Sequence, residues 1–238
     1  MGLFVPKLAL SRRQLLQWSA ISGVGLLMGS CDGEPLTTKV GQVFEPLNQR
    51  LQELLLSQNP VPEYSMKDIE PDKLLINTFD ATPQIDPAKF QLKIDGEVKQ
   101  PLQLGMADIQ KLPLTSMIIR HVCVEGWSAI VQWGGVRLRD LATLAQPKSS
   151  ARYVFFKSAD GYYESWDLAS AFHPQTLMAY QKNGQLLSAD NGAPLRLASP
   201  IKLGYKQSKW VTQITFLNEL VPMKGYWEDL GYEWFAGI

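Results

Sequence analysis

Cysteine and histidine are scarce in this chain of 238 residues, with two of each: Cys31 and Cys123, His121 and His173. Two cysteines exclude a disulfide framework, and no C-x-x-C-H run is present to attach a haem. Net charge is absent too, with 23 basic residues against 23 acidic ones. That balance gives no electrostatic case for a nucleic-acid partner. No repeat or low-complexity tract occurs, and the apolar run Leu15 to Met28 is short for a membrane span. What is present is ordinary globular material: 45% hydrophobic, 10% aromatic and 19% charged residues. This is enough for a core well outside the disordered regime, in one domain of about 200 residues or at most two small ones.

The first thirty residues read as an address. Lys7, Arg12 and Arg13 precede the apolar run, no acid interrupts them, and small residues lead to Cys31. Without this segment the chain carries 20 basic and 23 acidic residues, a net charge of −3. Ser11-Arg12-Arg13-Gln14-Leu15-Leu16 is similar to a twin-arginine export motif, and Leu27-Met28-Gly29-Ser30-Cys31 to a bacterial lipobox. The expected organisation is a signal over 1–30, a tether and helix over 31–74, and a catalytic domain over 75–238. Cys31 is then the lipidation site and the chain is anchored at the cell envelope or periplasm. An ordinary signal cut slightly further on is the alternative. Either way Cys123 has no partner, and an odd thiol in an oxidising compartment must be buried, ligated or reactive.

Leu47, Leu51, Leu54 and Leu55 fall on one face of a helix predicted over 43–58, which Asn59-Pro60-Val61-Pro62 ends. Phe90, Leu92 and Ile94 alternate with polar residues before Asp95-Gly96, a strand and turn. A short helix follows at 106–112, with strands at 117–124 and 129–138 and a turn at Gly134-Gly135. A brief helix is expected at 139–145. Further strands are expected at 152–157, 162–166, 195–198 and 211–217. The run 177–188 reads as a hairpin around Asn183-Gly184. Short strands with small interspersed helices predict an α+β domain dominated by β structure, a single mixed domain rather than a doubly wound parallel one.

The most specific stretch is RHVCVEGWSAIVQWGGVRL, residues 120–138. If the strand persists, His121, Cys123 and Glu125 share one face. A thiol beside a histidine fits a nucleophile, a soft metal ligand or a small buried hydrophobe. The residues alone leave all three open.

The flanking pattern narrows the choice. Arg120-x-x-Cys123-Val124-Glu125-Gly126-Trp127-Ser128, with Val131, Trp133, Gly135 and Leu138, resembles the sulfite-oxidase-type molybdopterin enzymes. The nearest branch is the one that contains the periplasmic protein-methionine-sulfoxide reductases. A second match is Asn191-Gly192-Ala193-Pro194-Leu195-Arg196-Leu197 with Pro200, Gly204-Tyr205-Lys206 and Ser208-Lys209-Trp210, and a third is His173-Pro174-Gln175-Thr176-Leu177. The resemblance covers roughly residues 75–215. It implies that Cys123 is the thiolate ligand of molybdenum in a molybdenum–molybdopterin cofactor. It further implies that Asn77, Ser158, Asn191, Arg196, Gln207, Ser208 and Lys209 bind the pterin and its phosphate, with His121, Glu125, Trp127 and His173 supporting them. Arg196 and Lys209 would otherwise read as a solvated face, Trp127 as core packing, and His173 as a hydrogen-bonded, semi-buried histidine bracing a turn. One departure stands out: Asp80-Ala81 replace the Tyr-Glu of the family's N-N-F-Y-E segment, so the substrate side need not be the same.

The resemblance implies two-electron oxygen-atom transfer, with reduction of small or protein-bound S-oxides such as methionine sulfoxide preferred over oxidation of sulfite or another small anion. Electrons would come from a separate membrane subunit. Two other classes remain as competitors: a cofactor-free hydrolase or transferase using Cys123 with His121 or His173, and a non-catalytic binding lipoprotein.

Overall fold

A computed structural model describes residues 47–52, 54–56 and 58–238. The expected export signal, Cys31 and most of the expected tether therefore lie outside the described residues. Residues 49–238 form one compact unit built on two five-stranded sheets. The first runs in the order β2 (Leu102–Gly105), β1 (Gln91–Gly96), β10 (Val211–Leu217), β5 (Tyr153–Ser158), β6 (Tyr163–Asp167). β1 and β10 are parallel and the other pairs antiparallel. The second runs β3 (Thr115–Val122), β4 (Ser128–Arg137), β7 (Leu177–Lys182), β8 (Gln185–Leu186), with β9 (Arg196–Ala198) also on β7.

The alternation in sequence becomes the core. Leu92 and Ile94 of β1, Val154 and Phe156 of β5, and Ile214 and Phe216 of β10 are buried together. The helix Leu138–Ala145 buries Leu138, Leu141, Ala142 and Ala145 in that core. Each such aliphatic or aromatic side chain contributes about 1.5–3 kcal/mol by leaving water. A second core joins Met117, Ile119, Val131 and Trp133 to Leu177 and Ala179. The mixed, β-dominated α+β architecture is thus the one the sequence pattern predicts.

Three local expectations change. Gly134-Gly135 does not turn the chain: both lie inside β4, where the register against β7 shifts between them. A bulge absorbs the extra residue and the strand continues. The expected strand over 117–124 stops at Val122. Residues 47–52 and 54–55 are helical, but Leu51, Leu54 and Leu55 are exposed, so that apolar face is not part of the core.

Candidate functional site

Cys123 sits where β3 gives out. Its N–H donates to the Trp127 carbonyl at 2.9 Å, and Gly126 N–H donates back to the Cys123 carbonyl at 3.2 Å, closing a tight loop. Gly126 there takes φ +89°, a left-handed conformation suited to glycine. Strand alternation therefore fails at Cys123, and Glu125 meets it by curling back within the loop. Glu125 Oε2 accepts from Trp127 Nε1 at 2.9 Å, Asn77 Nδ2 at 3.0 Å and Cys123 Sγ at 3.5 Å. These donors, Trp127 first, hold its carboxyl below the usual range. Burial, with the adjacent Glu125 charge adding to it, pushes the Cys123 thiol up. Such a thiol is the reverse of an activated nucleophile, although a metal bound at sulfur deprotonates it outright.

His121 does not serve as a base for that thiol. It is 5% exposed and stacked against Trp127 with ring centroids 5.9 Å apart. Burial, reinforced by the charges of Arg196 and Lys209, brings its pKa down to about 3, so the ring is neutral. A Cβ at Gly204 would lie 2.8 Å from its Nε2, so only glycine lets the 204–206 turn close over it.

The second motif forms a basic wall. Arg196, on β9, is buried; Nε donates to the Leu197 carbonyl and Nη1 to the Asn191 carbonyl, both at 3.1 Å. Its guanidinium lies 4.5 Å from the Trp133 ring centroid. No carboxylate pairs with it among the described residues, and burial draws its pKa down to about 9. Lys209 Nζ donates to the carbonyls of Asn77 and Asp190, and burial followed by the Arg196 charge lowers its pKa to about 8. Lys182 Nζ donates to Asn191 Oδ1 at 3.2 Å, and the Asn191 amide donates to Ser188 Oγ at 2.7 Å. Ser208 Oγ is buried with no partner. A buried arginine without a carboxylate, a half-buried lysine whose pKa that arginine lowers, and an orphaned hydroxyl describe a place built for an anion. Gln207 lines the same wall, but its side-chain amide is committed to Ser199 and Lys202 backbone.

These groups converge on a cavity of about 380 Å³. Asn77, His121, Cys123, Glu125, Trp127, Asn191, Arg196, Gln207, Ser208 and Lys209 all line it. Two expected residues do not. Ser158 closes β5 with a buried, unpartnered hydroxyl away from the lining, and Asp160 of the next turn lines the cavity instead. His173 is fully buried and braces a loop: Nδ1 accepts from Gln175 N–H and Nε2 lies 3.3 Å from the Asn59 carbonyl. Six aromatic rings also line the cavity, those of Phe79, Tyr162, Tyr205, Tyr226, Trp227 and Tyr232, together with aliphatic residues from 74–76 and the carboxylates Asp160 and Asp190. Three of the rings come from residues 226–232, beyond both motifs, and the only sequence signal for them is the aromatic density of GYWEDLGYEWF.

The donor set suits a phosphate-bearing pterin with a metal at Cys123, and the chain belongs to the family of the oxidoreductase molybdopterin binding domain, whose model matches residues 79–227. It is an oxidoreductase of the sulfite-oxidase type. Among its relatives is a protein of Azospira oryzae provisionally named a protein-methionine-sulfoxide reductase subunit. The two are 36% identical over 238 residues, covering 95% of this chain and 88% of the relative. Catalytic subunits of protein-methionine-sulfoxide reductase from Campylobacter jejuni and Ralstonia nicotianae are 36% and 34% identical, over 63% and 57% of this chain. The chain spans 56% and 46% of those two relatives. The sulfane dehydrogenase SoxCD of Paracoccus pantotrophus shares the fold, with a TM-score of 0.56 at 21% identity over 58% of this chain and 40% of that one.

Proposed function

We propose that the protein reduces S-oxides, methionine sulfoxide among them, using a molybdenum–molybdopterin cofactor ligated by Cys123. The observation that carries this reading is the division of charge in the cavity. The lining cations, Arg196 and Lys209, belong to the motif that would hold the pterin phosphate, and six further lining side chains, Phe79, Tyr162, Tyr205, Tyr226, Trp227 and Tyr232, are aromatic and uncharged. A neutral S-oxide suits such rings, whereas sulfite would need a cation there to replace its hydration. The names of the relatives agree with this choice.

Arg196, Lys209 and the Ser208 hydroxyl would hold the phosphate, and Asn191 the pterin. The bound cofactor supplies the two-electron chemistry of oxygen-atom transfer. Overall, one S=O bond breaks, two electrons and two protons are consumed, and a thioether and water leave. The chain's own contribution is orientation. The Glu125 carboxylate fixes the Cys123 loop through Trp127 and reaches Asn77, whose carbonyl takes Lys209, so one hydrogen-bonded chain joins the metal end of the site to the phosphate end. A cofactor-free Cys–His enzyme finds little support, since His121 is neutral and stacked and His173 braces a loop.

The proposal extends to export by the twin-arginine signal, lipidation at Cys31, residence at the envelope and electrons from a separate membrane subunit. The basis is the sequence of residues 1–31 and the catalytic-subunit naming of relatives. The test is elemental analysis and turnover of the full chain expressed with its export route intact. About one molybdenum per chain and S-oxide reduction are expected, with both lost in Cys123→Ser. Sulfite oxidation without S-oxide reduction would replace the reading, and turnover by metal-free protein would end it. Membrane fractionation of the same cells checks the anchor.

A further inference from the structure

We infer that the segment 224–232 is the wall that grips the organic part of the substrate: Tyr226, Trp227 and Tyr232 hold an S-oxide on an apolar carrier, and a buried charge cluster positions them. This rests on the S-oxide reading above and names the residues that select the substrate.

The rings form a continuous edge-to-face chain. Phe79 meets Tyr226 at 4.5 Å, Tyr226 meets Trp227 at 5.3 Å, and Trp227 meets Tyr232 at 5.1 Å between centroids. All four line the cavity that holds Cys123. Phe79, Trp227 and Tyr232 nevertheless stay 43%, 37% and 42% exposed, so a large aromatic area is kept out of the core in the cavity that Cys123 also lines. A sulfur-bound methyl group and an apolar carrier gain most from such rings, because sulfur groups settle favourably at aromatic edges. Among the described residues the only lysine and arginine that line the cavity are Lys209 and Arg196, neither of which belongs to this segment.

The wall is held from behind. Gly225 bridges to Glu164 of β6, Tyr226 N–H donates to the Tyr163 carbonyl at 3.2 Å, and Ser165 Oγ donates to the Lys224 carbonyl. Glu228, one residue after Trp227, accepts from Lys206 Nζ, which also donates to Glu164 Oε1 at 2.5 Å and to the Ser165 carbonyl at 3.2 Å. Lys206 and Glu164 are fully buried and Glu228 is 8% exposed. A Cβ on residue 225 would stand 2.1 Å from Glu228 Oε2 and 2.8 Å from Glu164 Oε1, so glycine is required where the two carboxylates crowd the backbone. Lys206 follows Tyr205 in the turn that forms the neighbouring cavity wall, so the cluster locks two walls to each other. Glu228 and Lys206 are positioning residues and touch no substrate.

The test uses molybdenum-loaded full-length protein with methyl phenyl sulfoxide, dimethyl sulfoxide and a leucine-flanked methionine-sulfoxide peptide. Trp227→Ala is expected to raise KM for methyl phenyl sulfoxide about tenfold, the equivalent of losing one good aromatic contact, and by several-fold more than for dimethyl sulfoxide. Molybdenum content should match the wild type. Tyr232→Ala and Trp227→Phe, milder changes, are expected to follow in the same direction and keep the question open to experiment if Trp227→Ala misfolds. Glu228→Leu should raise KM more than it lowers kcat, and Glu228→Gln should recover most of the loss. A weakened peptide, with or without weakened methyl phenyl sulfoxide, supports the wall and identifies the carrier it grips. Unchanged KM for all three substrates in well-loaded variants overturns it. Calorimetric binding of methyl phenyl sulfoxide separates the two ideas. Binding lost in Trp227→Ala without turnover in any form would retain the wall and end the reductase reading.

Discussion

Arg196 and Lys206 stand ten residues apart, both buried, and the fold treats their charges in opposite ways. Lys206 is met by two carboxylates, Glu164 and Glu228. Arg196 is met by carbonyl oxygens and an indole face, with no carboxylate paired to it among the described residues. Burying a lone cation costs several kcal/mol in either case. A cation supplied with acids from its own chain is structural. A cation denied them is waiting for an anion from outside. The same contrast separates two regions of the site, a cavity wall that carries an unpaired arginine and a cluster of internal ion pairs behind Tyr226 and Trp227.

The contrast can be broken most directly at Lys206. Lys206→Met leaves two buried carboxylates facing each other without a counter-charge, and a loss of about 3–5 kcal/mol is expected. Denaturant unfolding measures it, and a loss below about 1 kcal/mol would place the cluster with weak surface pairs. Arg196→Gln should behave in the other way. The cofactor-free chain should lose about 1 kcal/mol, the worth of ordinary hydrogen bonds. Retention of the cofactor through dialysis should weaken about ten- to a hundredfold, one charged hydrogen bond's worth. Equal stability losses for the two variants would erase the distinction.

The smallest effect concerns acidity. Burial, against the attraction of Lys206 and with the repulsion of Glu228, raises the Glu164 carboxyl well above its ordinary 4.5. The folded chain therefore keeps a proton that the unfolded chain gives up. The stability this lends is complete below about pH 4.5 and fades as pH rises toward the folded-state value, by up to about 1.4 kcal/mol per pH unit. Glu164→Gln should flatten the fall in melting temperature as pH rises above about 4.5. An unchanged slope would assign the proton elsewhere.

Most of the basic wall of the cavity was legible in sequence because its parts lie close along the chain. Asn191, Arg196 and Lys209 fall within nineteen residues, and the Cys123 loop is a local motif. The strands followed from alternation of apolar residues. The other region was not legible for the opposite reason. Glu164 sits in Tyr-Glu-Ser, a pattern that suits a solvent-facing strand, and its partner Lys206 lies 42 residues away. Tyr226 and Trp227 carry no spacing signal, and only the fold of the last residues onto β6 turns them toward Cys123. At Ser158, a polar residue before a turn, the hydroxyl is buried behind the cavity lining, and the turn itself delivers Asp160 to the cavity. Asn77 links the Cys123 loop to Lys209, and its backbone role toward Lys209 could not be read from its side-chain identity.

The position of β10 carries a consequence for how the molecule comes into being. It is the middle strand of its sheet, parallel to β1 on one side and antiparallel to β5 on the other. A ribosome delivers it more than a hundred residues after β1, so the early strands wait with Leu92 and Phe156 uncovered until residue 217 has been made. Such long-range pairing is slow. Synthesis therefore hands over an open sheet rather than a half-built domain, and its closing falls after translation of the residues that would hold the cofactor.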